Sequence, residues 1–248
     1  MERIIGLPVA LRQEAFSIFG SRGWSKAGSF LCKVERIGGR VFWMVVTGPG
    51  MERARAGASF LLESGSCVII NLGVAGALVD RLEIGHVICP ATIVNYGRKD
   101  ELQHIHVDSG VKDKLDRLLL AACVRADSGI LFTANQVIET KEAKASVKAE
   151  THAHAVDMEA FYLASICKEA GVPFLAIKAI SDTLNQSLPS VVSRCVRPDG
   201  SLNMPLLVLG LALRPWLVPR LLEVKEGYQK AIYSLELAKS AIVANGDL

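Results

Sequence analysis

Short apolar runs closed by glycine or proline alternate along this chain with longer stretches in which apolar residues recur every three or four positions. A run of four to eight apolar residues with no polar alternation reads as a strand buried on both faces, and a helical segment between two such strands brings the chain back so that they lie parallel. The expected fold class is therefore α/β, a single domain with a mixed, mainly parallel sheet flanked by helices. Strands are expected at 3–7, 30–37, 41–47, 67–72, 85–94, 130–133 and 174–181, and helices at 8–19, 52–63, 111–124, 141–150 and 158–170. The pair 30–46 turns at Gly38-Gly39, which places one antiparallel hairpin in an otherwise wound sheet. One domain is expected over 1–248, with an apolar helical extension at 203–248 whose last helix covers about 217–243.

Several function classes are excluded at this level. A net charge of +3 and the lack of a dense Lys/Arg block with interleaved aromatics argue against a nucleic-acid partner. The six cysteines are scattered singly, four of them in apolar runs, and form no C-x-x-C pair; they read as buried thiols in a reducing, cytoplasmic protein with no metal. His104 with His106, and His152 with His154, lie in polar stretches and read as solvated loop positions. The stretch 205–213 is about half the length of a membrane span and is followed by Pro215 and Pro219. Trp216, Arg214 and Arg220 leave two readings for 205–222: peripheral contact with a membrane surface, or a helix buried in the core or a subunit contact.

In open α/β sheets ligands bind beyond the carboxyl ends of the strands, so the residues that follow each strand matter most. Thr47-Gly48-Pro49-Gly50 runs into a helix start, either as an anion site or as a bare tight turn. Asn71-Leu72-Gly73-Val74-Ala75-Gly76-Ala77 reads as a small-residue loop, which lets a sugar or planar ring approach the backbone or simply lets a helix pack closely. In Val156-Asp157-Met158-Glu159, Asp157 suits a helix cap, and Glu159 in the first turn is free to accept hydrogen bonds from vicinal hydroxyls. The last long strand ends in Ser181-Asp182, where an acid is placed either to donate a proton or to cap a turn.

Taken together, Gly73-Val74-Ala75-Gly76, Val156-Asp157-Met158-Glu159 and Ala179-Ile180-Ser181-Asp182 resemble, in order and spacing, the nucleoside phosphorylase and nucleosidase superfamily. The resemblance covers about 4–188, and it implies a nucleoside phosphorylase-like fold that cleaves the N-glycosidic bond of a purine nucleoside without a cofactor. It also implies catalytic roles for three carboxylates: Asp182 at N7 of the base, Glu159 at the ribose hydroxyls, and Glu14 at an attacking water. Met158, Val137, Ser181, Ala75 and Gly76 would contact substrate, and a homo-oligomer is implied. Within the superfamily, the stretch from Thr47 to Arg55 and the tail Arg197-Pro198-Asp199-Gly200 look closest to hopanoid-associated phosphorylases, which implies an adenosylhopane-like substrate. Methylthioadenosine/adenosylhomocysteine nucleosidases and purine nucleoside phosphorylases are the alternative.

Two departures from the superfamily pattern bear on the chemistry. Asn71 and Val74 stand where phosphate-using relatives carry an Arg and a Ser, which tilts the expectation toward water as the acceptor, unless phosphate as co-substrate is held by Gly48, Arg12 and Arg53. Val137 stands where the nucleosidases place a Phe beside the base, so no ring stacks on the purine from that position. A nucleoside-binding protein without catalysis is the rival from another class. A dinucleotide enzyme is disfavoured, because Gly6-Leu7-Pro8-Val9-Ala10-Leu11 replaces the G-x-G-x-x-G that would follow its first strand.

Overall fold

The computed structural model describes residues 2–97, 101–189, 195, 197, 199–201, 203 and 215–245. The expected α/β architecture is what forms: a mixed sheet carries the core on both faces, and its central strands run parallel. β1 (Arg3–Val9) lies parallel between β4 (Arg40–Val46) and β5 (Val68–Ala77), and β12 (Phe174–Asp182) runs parallel along β5. β2 (Ser25–Ala27), β3 (Phe30–Ile37) and β4 make the antiparallel edge, with the hairpin turning at Gly38-Gly39. Beyond the tip of β5 lie β11 (Ala155–Asp157), β10 (Ile130–Thr133), β7 (Thr92–Tyr96) and β8 (Leu102–His106), while the short β6 (Val87–Ile88) and β9 (Ala126–Asp127) branch from β12.

Each face of the sheet has its own helices. α1 (Arg12–Phe19), α3 (Ser109–Ala121) and the last helix, α6 (Val218–Asn245), cover one side, where Ile18, Leu115, Leu119, Ala231, Leu235 and Ile242 pack on Leu7, Leu72, Leu175 and Ile177. α2 (Met51–Glu63) and α5 (Ala160–Glu169) cover the other, where Ala58, Leu61, Leu163 and Cys167 meet Ile69, Ala176 and Ile180. α4 (Lys141–Thr151) starts at Thr140, whose side chain accepts the Ala143 amide as a helix cap.

Two of the thiols read as buried, Cys67 and Cys123, are exposed, His154 is half-buried and accepts the Ile130 amide on Nδ1, and four further expectations need correction, each for a local reason. The strand expected at 67–72 continues to Ala77, and 73–77 is strand rather than loop, because Gly76 and Ala77 pair antiparallel with β11. The first helix starts at Arg12, not at residue 8; Pro8 and Val9 stay in register with Val45 and Val46, and the Thr47 and Gly48 amides extend the ladder by donating to Val9 and Ala10. The strand expected at 85–94 splits around Pro90, which has no N–H to donate, while Cys89 and Ala91 on either side turn to Asp127 and Gly129. His104 and His106 lie in the edge strand β8, where His106 Nδ1 sits 3.2 Å from Thr92 Oγ1; their side chains are exposed, as solvated positions would be, but the backbone is not a loop. Of the segment 205–222, residues 205–214 lie outside the described residues, and Trp216, Val218 and Leu222 are exposed. Among the described residues no helix is long and apolar enough to cross a membrane.

Candidate active site

The ends of β5, β11 and β12, the starts of α1 and α5, and the first half of α6 enclose one cavity of about 340 Å³. Glu14, Val137, Met158, Glu159, Ser181, Asp182, Ala75 and Gly76 all line it, so residues far apart in sequence meet around one cavity. That volume suits a nucleoside-sized ligand.

The two glycines of β5 make room for the chemistry. A Cβ on Gly76 would stand 2.9 Å from Asp182 Oδ2, and one on Gly73 would stand 3.3 Å from Lys178 Nζ. Both glycines face β12, in register with Asp182 and Lys178. The register slips between Ile180 and Asp182, an irregularity of the kind that re-aims a side chain at the end of a strand. Ser181 Oγ then donates to Asp182 Oδ1 at 2.7 Å.

At the other end of the cavity three buried carboxylates share one buried ammonium. Lys178 Nζ lies 2.9 Å from Asp157 Oδ2, and Glu14 and Glu159 also feel its charge. Asp157 is fixed further by Thr133 Oγ1 at 2.7 Å and by the Ala160 amide at 3.0 Å, the helix-capping contact expected of it. Glu14 reaches back to accept the Leu11 amide at 3.2 Å and accepts the Val74 amide at 3.3 Å, so the backbone of Val74 supplies the donor that its side chain lacks. Glu159 accepts the Gly50 amide at 3.2 Å.

Burial raises Glu14 above the ordinary carboxylate value, opposed by Lys178 and by the Leu11 and Val74 amides. Burial, then the charge of Asp157, pushes Glu159 up to about 7. A carboxyl whose folded value lies above its unfolded one holds a proton more tightly when folded, so its contribution is full below about 4.5 and is lost as pH rises through about 7. The melting temperature should therefore fall between about pH 5 and about pH 8, and Glu159→Gln should flatten that fall in a thermal melt series; an unchanged slope would show that Glu159 does not carry it.

The acid at the end of β12 has a cation of its own. Lys144, on α4 and fully buried, donates to Asp182 Oδ2, to Thr183 O at 2.6 Å and to Gln186 O at 3.1 Å. Neither Lys178 nor Lys144 stands out in the motif reading. Lys178 leaves a sequence signal, a lone charge inside the apolar run Phe174-Leu175-Ala176-Ile177-Lys178-Ala179-Ile180, which needs a buried counter-charge. Lys144 leaves none, since Lys141, Lys144 and Lys148 read alike along an amphipathic helix. Tyr228 and Val224 from α6 also line the cavity.

The three residues considered for phosphate are not brought into this cavity. Arg12 lies over the Phe16 ring at 5.0 Å; Arg53 lies over Phe30 at 5.2 Å and donates to Thr47 O; the Gly48 amide is taken by Ala10 O. Asn71 is buried and donates to Pro8 O at 3.0 Å, which ties β5 to β1.

Comparison with known proteins adds a family to this geometry. The model of the Phosphorylase superfamily matches residues 5–193. A 5'-methylthioadenosine/S-adenosylhomocysteine nucleosidase from Actinobacillus succinogenes is 27% identical over 195 residues, 72% of this chain and 85% of the relative. Among solved structures, the Helicobacter pylori nucleosidase of the same name superposes with a TM-score of 0.74 at 19% identity, covering 98% of both chains. Futalosine hydrolase of Helicobacter pylori superposes with a TM-score of 0.66 at 21% identity, covering 73% of this chain and 88% of that one. These relatives correct the expected branch: the similarity runs to methylthioadenosine/adenosylhomocysteine nucleosidases and futalosine hydrolase, not to hopanoid-associated phosphorylases, and an adenosylhopane-like substrate goes with it. The stretch from Thr47 to Arg55 that suggested the hopanoid branch builds the turn into α2, and of its residues only Pro49 lines the cavity.

Proposed function

This chain belongs to the Phosphorylase superfamily, and on that premise we propose that it hydrolyses the N-glycosidic bond of a purine nucleoside of the methylthioadenosine and adenosylhomocysteine class. The observation that carries the reading is the convergence of Asp182, Glu159 and Glu14 on one cavity whose lining, among the described residues, includes a single cation, Lys178. Lys178 is already bound to Asp157, so a phosphate dianion would meet carboxylates rather than free positive charge. Water carries no such penalty.

In this reading the base lies against Gly76, Val156 and Val137, with N7 toward Asp182. Glu159 accepts hydrogen bonds from the ribose hydroxyls, and Met158 packs on the sugar. As the C1′–N9 bond lengthens, the electron pair passes into the purine, N7 takes a proton through Asp182, and the sugar becomes oxocarbenium-like. Glu14, held by two amides and raised by burial, takes a proton from the water that bonds to C1′. Ile138, Leu188, Pro189 and Val224 give the remaining wall an apolar character, which suits a methylthio substituent at the 5′ position.

The reading is tested by incubating the protein with methylthioadenosine, adenosylhomocysteine and futalosine and separating free base by chromatography. Release from methylthioadenosine or adenosylhomocysteine is the expected result. Release from futalosine alone would move the substrate class, and release from none would overturn the enzyme reading in favour of a nucleoside-binding protein.

A further inference from the structure

Asp182 meets two donors before any ligand arrives: Ser181 Oγ on Oδ1 and the Lys144 ammonium on Oδ2. A carboxylate paired with an ammonium has no proton of its own to give. Lys144 does. Its three N–H groups are matched by three acceptors, Asp182 Oδ2, Thr183 O and Gln186 O, so the ammonium is fully satisfied although its side chain has no exposure. Thr183 and Gln186 are themselves locked together, since Gln186 N donates to Thr183 O and Gln186 Oε1 accepts the Thr183 amide at 2.9 Å. The two carbonyls therefore stay in place if one proton leaves Lys144, and the neutral amine still has two N–H groups for them.

We propose that the acid of this site is the Lys144–Asp182 pair, with Lys144 positioning the carboxyl and supplying through it the proton that reaches the departing base. This inference rests on the hydrolytic reading above. The step balances as follows. The C1′–N9 bond breaks with its electron pair going to the purine, Asp182 passes a proton to N7, and Lys144 passes one to Asp182 and becomes a neutral amine. Water adds to C1′ and loses a proton to Glu14. After the base leaves, Asp182 lines the open cavity and returns a proton from solvent to Lys144, and Glu14 gives the proton it took from water back to solvent. A simple electrostatic anchor would need only the charge, whereas a proton source needs a group that can give its proton up. Arginine separates the two, because it keeps its proton throughout.

The test compares Lys144→Arg and Lys144→Gln with the parent on two substrates: methylthioadenosine, whose base leaves as a protonated purine, and 4-nitrophenyl β-D-ribofuranoside, whose phenolate leaves without a proton. Both variants should lose about 10²–10⁴-fold in kcat on methylthioadenosine with KM little changed, and the loss should be confined to that substrate. Circular dichroism and methylthioadenosine binding identify the variants that keep the parent fold, and either one is sufficient. Lys144→Arg working at the parent rate would reduce Lys144 to a charge, and equal losses on both substrates would reduce it to a structural residue; both results overturn the proposal. A parent protein that releases base from no nucleoside would remove the hydrolytic reading and this inference together, whereas an active parent with active Lys144 variants removes the inference alone.

Discussion

Asp182→Asn should lower base release by about 10²–10⁴-fold while the nucleoside still binds. Asparagine keeps one oxygen for Lys144, and its NH2 can donate to Ser181 Oγ, whose hydroxyl then turns to Ala75 O, so the end of β12 stays hydrogen-bonded, but it has no acidic proton to pass to N7. Stopped-flow or absorbance assays of base release, set beside calorimetric binding of methylthioadenosine, separate the two effects. A protein that only binds nucleosides would show little change in either measurement. A loss of binding equal to the loss of rate would mean that Asp182 serves recognition and not leaving-group departure.

The largest effect on stability belongs to Lys178→Met. Lys178 is a fully buried cation shared by Glu14, Asp157 and Glu159, and methionine fills its volume without its charge. Removing one partner of a buried ion pair leaves the others uncompensated, at a cost of about 3–5 kcal/mol. The sign with pH follows from the same charges. Without the ammonium, the carboxylates hold protons more tightly in the folded chain, so the penalty is greatest at about pH 8 and shrinks toward about pH 5. Chemical denaturation of parent and variant at both pH values checks this; a penalty that is small, or the same at both, would show that Lys178 does not neutralise the cluster.

Much of this site was legible in the sequence because its carboxylates stand at strand ends and helix starts, where side chains face a cavity instead of a neighbouring strand. Asp182 closes an apolar strand, and Glu159 sits two residues past a residue already suited to capping. The cations were not legible for two different reasons. Lys178 is conspicuous once the burial of its strand is taken seriously, but its partners come from α1 and β11, which only the parallel pairing of β12 with β5 brings near. Lys144 is one of three similar lysines on α4, and nothing local distinguishes the one that turns inward.

Backbone groups were the other hidden component. Val74 looks like the loss of a hydrogen-bonding side chain, yet its amide holds Glu14, and the Gly50 amide holds Glu159. The segment 73–77 reads as a small-residue loop because glycine weakens strand propensity, whereas its glycines are there to leave space for Lys178 and Asp182 across the strand pair. The contribution of α6 to the cavity through Val224 and Tyr228 had no signal either, since an apolar face on a late helix looks the same whether it covers a core or lines a site.

The central claim is that water, not phosphate, takes the sugar. Base release from methylthioadenosine should therefore be measured in phosphate-free buffer and again in saturating phosphate, with the sugar product identified in each. Hydrolysis gives equal rates and the free sugar in both buffers; release that requires phosphate and yields the sugar 1-phosphate would contradict it, and would mean that an anion site forms beside Lys178.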